Sequence, residues 1–313
     1  MAEARRPERA RPAAALPIRL IALDIDGTLI GDDLVLRPRT LSAVAAALER
    51  GIHVSLVTGR MTTSALPFAR GLRLLDPIVA YQGALVRELP LPERDPLLGR
   101  ILRHRPLAAE TAREVLDWAK GVGLEPHVNH LERFVIAADD PRAEDYSSFI
   151  GQRALVVPDL RAWIRQPVSK ILAVGAEEIP EAVMDDARRR FAGRSAVTIS
   201  HPRFLEFLAP GVSKALGVRH LARRAGVSLA NVLAIGDHFN DLEMLAEVGH
   251  GAAMPSAPDP VRAAARYVAP SLAEEGAAQL IEQLALAAPE TAARNAARLA
   301  AAHDAEFPLG TAA

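Results

Sequence analysis

Apolar residues along this chain gather in short runs that alternate with stripes at helical spacing. Leu20-Ile21-Ala22-Leu23, Ile52-His53-Val54-Ser55-Leu56-Val57 and Ile78-Val79-Ala80-Tyr81 are such runs, and they read as strands buried on both faces of a parallel sheet. Between the first two, Leu41, Val44, Ala45 and Leu48 fall on one face after Pro38. That spacing predicts a helix from Pro38 to about Arg50, ended by Gly51. A second helix is predicted over about 62–73. Strand, helix, strand, helix, strand predicts an α/β fold with a Rossmann-like doubly wound parallel sheet. The rhythm resumes late in the chain. A helix is predicted over about 213–225, a strand at Val232–Gly236 and a helix over 239–248. Short strands at Gly251–Met254 and Tyr267-Val268 close the pattern, and Ala-rich helices follow over 273–287 and 290–303.

Between Gln82-Gly83-Ala84 and Pro210-Gly211 the pattern changes. Strand-like runs at 98–104, 124–129, 133–137, 170–175 and 196–200 surround helical patterns at 107–121 and 178–192. This composition predicts a small α+β domain inserted into the first one. The expected division is a disordered leader over 1–16, an outer domain over 17–84 plus 206–287, an insert over 85–205, and a helical or disordered tail over 288–313. Gly83-Ala84 and Ala209-Pro210-Gly211 are expected to form a pair of hinge strands.

Composition narrows the possibilities. The chain has 313 residues, half of them hydrophobic, and a formal net charge of −1. A near-neutral chain of mixed charge is not a nucleic-acid binder driven by a basic surface. The absence of cysteine excludes disulfides, thiolate metal sites and a cysteine nucleophile. No apolar run reaches the roughly 18 residues of a membrane span, and the Arg-containing leader has no apolar centre of a secretory signal. A cytoplasmic location with no nucleic-acid and no membrane partner is therefore expected. The oligomeric state is not legible.

Three of the four polar clusters directly follow an apolar strand. The first is Asp24 and Asp26, whose i, i+2 spacing would crowd two carboxylates on one side of an extended chain. Such crowding calls for a cation or a substrate proton. The others are Thr58-Gly59-Arg60, Lys214, and Gly236-Asp237-His238-Phe239-Asn240-Asp241. In an open α/β sheet, ligands gather beyond the carboxyl ends of the strands. Singly, each cluster reads as a turn, a solvated lysine or a helix cap; in this order they suit phosphoryl transfer, which needs a nucleophile, charge neutralisation and a cation. Asp24 would attack phosphorus and Asp26 would serve as acid and then base. Thr58 offers a hydroxyl, Lys214 a point charge, and Asp24 with Asp237 carboxylates for Mg2+.

The segments Asp24-Ile25-Asp26-Gly27-Thr28-Leu29, Val57-Thr58-Gly59-Arg60, Gly211-Val212-Ser213-Lys214 and Gly236–Met244 resemble the four motifs of the haloacid dehalogenase (HAD) superfamily. The last segment, in the form G-D-x-x-N-D-x-x-M, and the long insert resemble the Cof-type branch. The resemblance covers about residues 17–285 and implies a HAD core with a C2-type cap. It implies a Mg2+-dependent phosphatase of small phosphorylated metabolites, such as sugar phosphates or phosphorylated cofactors, acting through an aspartyl-phosphate. It also implies that Thr58, Gly59, Arg60, Lys214 and Asn240 face the phosphate and that Asp241 orients Lys214. Asp24, Asp237 and the main-chain carbonyl of Asp26 would hold the metal. Two positions depart from the pattern. Pro255 lacks an N–H where relatives have one to give, and Gln82 replaces the usual Asn. The rival readings are a phosphotransferase or mutase on the same scaffold, and a phospholigand-binding protein without activity. A dinucleotide-binding domain is disfavoured, because no G-x-G-x-x-G follows the first strand. In the insert, His127, His130 and Arg203 are polar candidates for substrate contact, each weighed against a structural role.

Overall fold

The computed structural model of the chain describes residues 13–90, 99–141, 151 and 153–308. The outer sheet is parallel throughout, and β1 (Leu20–Leu23) lies inside it, one strand in from the edge. On one side of it stands β2 (His53–Leu56). On the other stand β12 (Val232–Gly236), β13 (His250–Ala253) and β14 (Tyr267–Val268). Alternate residues of these strands feed two cores. Ile21, Leu23, Val54, Leu56, Leu233 and Ile235 pack on one face, and Leu20, Ala22, Val232 and Ala234 on the other. All are buried, and removing a Leu or Ile side chain from water contributes on the order of 2 kcal/mol. The helices that cover these faces include α1 (Pro38–Glu49) and α2 (Thr62–Gly71). Leu23 lies level with both Leu56 and Ile235. That register places the residues leaving β1, β2 and β12 side by side, where the polar clusters begin.

The third predicted strand has a different role. β3 (Ile78–Ala80) packs on the outer sheet but pairs with it through a bridge alone, between Val57 and Val79, among the described residues. Its other edge pairs antiparallel with β4 (Leu85–Arg87), which pairs with β5 (Ile101–His104). The chain reverses because Tyr81, Gln82 and Gly83 all adopt positive φ, at 50°, 57° and 98°. Residues 85–104 were expected in the insert; this hairpin sheet corrects that, and the chain crosses over only after His104. Residue 98 of the expected strand lies outside the described residues.

The insert is a six-stranded sheet in the order β10-β11-β9-β6-β7-β8. Its strands are β6 (Glu125–His130), β7 (Arg133–Ala137), β8 (Leu155–Val157), β9 (Lys170–Val174), β10 (Ala196–His201) and β11 (Phe204–Leu208). One face is covered by α3 (Ala109–Gly121), the short α4 (Leu160–Trp163) and α5 (Glu181–Arg190), where Trp118, Phe191 and Phe207 pack edge to face. β11 lies between β9 and β10, so an insert boundary at residue 205 would cut a paired strand; the return begins at Ala209.

After it come α6 (Lys214–Ala225), α7 (Leu242–Glu247), α8 (Asp259–Ala264), α9 (Gly276–Leu280) and α10 (Pro289–Glu306). The helix expected over 239–248 begins as a 3-10 turn, Phe239–Asp241. The helix expected over 273–287 is broken by Glu275 at φ 56° and ends in a π-turn, Ile281–Leu286. α10 is packed on the outer domain through Ala292, Ala296, Leu299 and Ala300 rather than frayed, although 309–313 lie outside the described residues. Of the expected leader, residues 1–12 lie outside the description. Residues 13–16 are held in place: Ala15 donates its N–H to the Ala230 carbonyl at 2.9 Å and accepts from Asn231 at 3.1 Å. Among the described residues, no helix is long and apolar enough to cross a membrane.

Candidate active site

The polar clusters meet beyond the carboxyl ends of β1, β2 and β12. β1 stops at Leu23, and the Asp24 N–H still donates to the Ile235 carbonyl at 3.0 Å, so Asp24 stays in line with the sheet. Gly27 then turns at φ 72°, and the Ile25 carbonyl collects the N–H groups of Leu29 and Ile30 at 2.9 and 3.1 Å. The loop leaves the two aspartates, Asp24 and Asp26, in different surroundings. Each has its own cation. Asp24 is buried against the Lys214 ammonium at 2.7 Å, whereas the Asp26 side chain is 38 % exposed and paired with Arg60.

Lys214 is fully buried at the start of α6, whose N-cap Ser213 accepts from the Leu216 N–H. Its ammonium sits 2.7 Å from Asp241 Oδ1 as well as from Asp24. Burial disfavours its charge, but Asp24 and Asp241 overcome this and hold the ammonium above its ordinary range. Asp241 accepts the Asp237 and His238 N–H groups on Oδ2, both at 3.3 Å. Gly236 is required there, since a Cβ would stand 2.4 Å from the Asp241 carboxyl carbon.

Burial pushes the Asp24 carboxyl well above the usual range; Lys214 pulls it back, and Asp241, Asp237 and Asp26 push it further. Asp237 is pushed up to about 7 by burial and by Asp241, with Lys214 opposing. Four carboxyl groups, Asp24, Asp26, Asp237 and Asp241, thus gather around two cations, Lys214 and Arg60, so acid groups outnumber the cations that pair with them. Asp24, Asp237 and Asp241 offer oxygens within 4.8 Å of one another. Both oxygens of Asp241 are already engaged, which leaves Asp24 and Asp237 as the pair suited to a dication. Gly27 lines the same spot, for its missing Cβ would lie 2.0 Å from Asp237 Oδ2. The residues therefore fit Mg2+, whose preference is few protein ligands with water and substrate oxygens completing the shell.

Thr58 leaves β2 with its N–H on the Val79 carbonyl at 2.9 Å, and its Oγ1 accepts the Arg60 N–H at 3.1 Å. Arg60 differs from expectation. Its Nε and Nη2 lie 2.7 and 2.5 Å from the two oxygens of Asp26, and Nη1 donates to Ser64 at 3.1 Å. Its planar fork suits the carboxylate, and it pairs with Asp26 at the rim of the site. Asn240 reaches Gln82, its Nδ2 donating to Oε1 at 3.1 Å.

The insert lies directly on this edge. Its Lys170 and Glu206 reach Gly59 and Gln82. His238 places Nδ1 3.2 Å from the Ile199 carbonyl. The β6–β7 turn docks through Glu132, which pairs with Arg87 at 2.6 Å and accepts the Thr63 N–H at 3.2 Å. Tyr81 donates its hydroxyl to the Leu131 carbonyl of the same turn. Each of the three polar candidates in the insert has a partner within the insert. His127 is buried 2.6 Å from Asp140. His130 meets Gln166 at 3.2 Å, and Arg203 donates to the Gly175 carbonyl at 3.0 Å. Lys170 and Glu206 were missed. The available signal was a charged residue set at the head or within an otherwise apolar strand.

Known proteins resemble this chain along most of its length. A family model described as haloacid dehalogenase-like hydrolase matches residues 21–281. The chain is 32 % identical over 243 residues to an HMP-PP phosphatase of Serratia proteamaculans, covering 76 % of this chain and 84 % of that protein. It is 27 % identical over 272 residues to the 5-amino-6-(5-phospho-D-ribitylamino)uracil phosphatase YitU of Bacillus subtilis, covering 84 % and 96 %. Among solved structures it is similar to a haloacid dehalogenase-like hydrolase of Bacteroides thetaiotaomicron, at 28 % identity and a TM-score of 0.71, covering 85 % of this chain and 99 % of that one. The fold is also that of a HAD subclass IIB sugar phosphatase, BT4131, with a TM-score of 0.73 at 20 % identity, covering 84 % and 98 %.

Proposed function

Because the chain belongs to the haloacid dehalogenase-like hydrolase family, in its Cof-type branch, we propose that it is a phosphomonoesterase of a small phosphorylated metabolite. Asp24 is the nucleophile. An Asp24 oxygen forms a bond to phosphorus as the bond to the leaving oxygen breaks, and Asp26 donates the proton that oxygen needs. In the second half, Asp26 takes a proton from water, the water oxygen bonds to phosphorus, and the bond to Asp24 breaks.

Mg2+, held by Asp24, Asp237 and the main-chain carbonyl of Asp26, would neutralise charge on the transferring phosphoryl group. Thr58, Gly59 and Asn240 face the phosphate. Lys214 opposes the burial that disfavours the Asp24 carboxylate and aims it, with its ammonium shared with Asp241 at equal distance. Asp241 orients that lysine and is not itself a metal ligand. The insert acts as a cap over the site, excluding water while the aspartyl-phosphate forms. A small phosphorylated solute as substrate carries with it a cytoplasmic setting.

The observation that carries this reading is the division between the two aspartates. One is buried on a lysine, and the other is held at the rim by a bidentate arginine. Such a pair separates a nucleophile from a proton carrier. The test is phosphate release from a panel of phosphorylated metabolites, including those named for the relatives, with Mg2+ and with EDTA. Turnover that requires Mg2+ supports the reading. Binding of phosphorylated ligands with no turnover of any of them would leave a phospholigand-binding protein instead.

A further inference from the structure

A buried chain of polar contacts runs from the Thr58 loop to the Asn240 loop, and its middle members come from the insert. Lys170, at the head of β9, is 2 % exposed. Its ammonium donates to the Gly59 carbonyl at 3.0 Å, lies 3.2 Å from Glu206 Oε2 and sits 5.7 Å from the centre of the Tyr81 ring. Glu206, also 2 % exposed, accepts from Ser200 at 2.5 Å on Oε1 and from Gln82 Nε2 at 3.2 Å on Oε2. Gln82 in turn accepts from Asn240 Nδ2 at 3.1 Å.

The pairing follows from strand register. Glu206 stands opposite Leu172, two residues beyond Lys170 on the neighbouring strand. Lys170 and Glu206 are therefore diagonal neighbours on the face turned to the outer domain, within reach of long side chains. Stability alone does not account for them, because two apolar residues in such a place are often as stable as a buried ion pair. What an apolar pair would lack is the bond to Gly59 and the bond to Gln82.

We propose that Lys170 and Glu206 are positioning residues for the phosphate. Seated on the outer domain, the insert uses them to set the Thr58-Gly59-Arg60 loop and the Asn240 amide in their gripping geometry. The peptide unit between Gly59 and Arg60 is planar, and it is held at both ends. Lys170 takes its carbonyl, and its N–H donates to Thr58 Oγ1 at 3.1 Å. With that lone pair occupied, the Thr58 hydroxyl has its proton to give to a phosphate oxygen. On the other branch, Gln82 takes one Nδ2 proton of Asn240 and leaves the second for the phosphate. Phosphate affinity thereby depends on the insert being closed, without any insert side chain touching the phosphate. This inference rests on the phosphatase reading above.

The test uses the full chain in saturating Mg2+. It measures inorganic phosphate binding by calorimetry, KM and kcat for an aryl phosphate, and thermal stability. In the Lys170→Met/Glu206→Met variant the melting temperature should stay within a few degrees, while the phosphate dissociation constant and KM rise about tenfold or more, the worth of a charged hydrogen bond. The exchange Lys170→Glu/Glu206→Lys restores an ion pair but turns a carboxylate toward the Gly59 carbonyl. It should remain as impaired, whereas Lys170→Arg, which still donates to both partners, should recover most of the affinity. A pair acting only as a fastening between domains would be rescued by the exchange. Wild-type phosphate affinity and KM in a folded double-Met or exchanged variant would overturn the proposal. If the double-Met variant fails to fold, the exchanged chain decides. Should the wild type hydrolyse no phosphomonoester, the phosphatase reading falls by itself, while the phosphate-binding comparison still judges the positioning role.

Discussion

The guanidinium of Arg60 spans both oxygens of Asp26, Nε to Oδ2 at 2.7 Å and Nη2 to Oδ1 at 2.5 Å, while Nη1 holds Ser64 and the guanidinium lies 5.3 Å from the centre of the Phe68 ring. The fork is therefore aimed, and it aims Asp26. A lysine has the charge without the planar pair of donors. Arg60→Lys should lower kcat for an aryl phosphate about ten- to a hundredfold, as expected when a proton carrier loses its orientation, with KM changed little. A large rise in KM at unchanged kcat would instead make Arg60 a phosphate contact.

Asp24→Asn should abolish turnover without loss of fold. The amide cannot attack phosphorus, and a loss of several powers of ten is usual for a residue that acts as part of a catalytic unit. The structure adds a sign for stability. Burial already presses Asp24 toward its neutral form, so a neutral isostere relieves the cluster while Lys214 keeps Asp241. The metal-free variant should melt no lower than the wild type. Activity above about one per cent would end the covalent mechanism.

Much of this site was legible because its chemistry sits where apolar runs end. Asp24, Thr58 and Asp237 each follow a run whose burial on both faces predicts a central parallel strand, and register then brings the strand ends together. The role of Arg60 was not legible, since a residue after Thr58-Gly59 could turn either to the phosphate or to Asp26. Nor was the hairpin after Ala80. It depends on Tyr81 and Gln82 adopting positive φ, which neither residue type signals. Lys170 and Glu206 escaped because their partners lie on the other sheet, and strand patterning reports burial but not what a buried charge meets. The helix over 273–287 was expected unbroken because its residues favour helix. Glu275 departs from it where its carboxylate accepts the Thr40 N–H near the start of α1, at 2.9 Å.

Asp237 gives the metal-free protein a pH dependence of known sign. Its carboxyl is pushed up to about 7 from its ordinary value of 3.8, so the folded state binds more protons than the unfolded state between those values. Stability is full below the unfolded value and falls as pH rises toward 7, by at most roughly 4 kcal/mol. Mg2+ competes with that proton and stabilises the carboxylate. Added Mg2+ should raise the melting temperature more at pH 7.5 than at pH 5. Asp237→Asn should flatten the metal-free decline and raise the Mg2+ concentration needed for activity. A metal-independent activity, equal to the wild type, in this variant would exclude Asp237 from the metal site.

His250 pulls in the opposite direction. It is buried, with Nδ1 2.9 Å from the Tyr267 hydroxyl and Nε2 3.1 Å from the Ala15 carbonyl. That geometry suits a neutral ring that accepts at Nδ1 and donates at Nε2. Burial lowers its pKa to about 4, so here the unfolded state binds the extra proton below about 6.5. Its stabilisation is present above that value and is lost as pH falls toward 4, by about 3 kcal/mol. His250→Gln should remove this acid-side loss. Because the Ala15 carbonyl loses its imidazole partner, proteolysis near the N-terminus should also become faster at neutral pH. An unchanged acid limb of the stability profile would assign that limb to other groups.

The sharpest geometric demand in the site is at Gly27. Its φ of 72° lies where only glycine rests without strain, and an added Cβ would stand 2.0 Å from Asp237 Oδ2 and 2.7 Å from the carboxyl carbon. Two consequences separate for Gly27→Ala. The backbone strain costs about 1 kcal/mol, a shift of a few degrees in melting temperature. The steric conflict is relieved by rotating the Asp237 carboxylate away, which spoils the pair it forms with Asp24. The variant should therefore fold, keep its affinity for inorganic phosphate at very high Mg2+, and need about tenfold more Mg2+ for half-maximal activity, as misdirected carboxylate ligands do. Combining it with Asp237→Asn gives the decisive comparison. If Gly27→Ala acts by displacing Asp237, the second substitution adds little to the first. Fully additive losses would mean that the glycine serves only the turn, and that its closeness to Asp237 has no part in holding the metal.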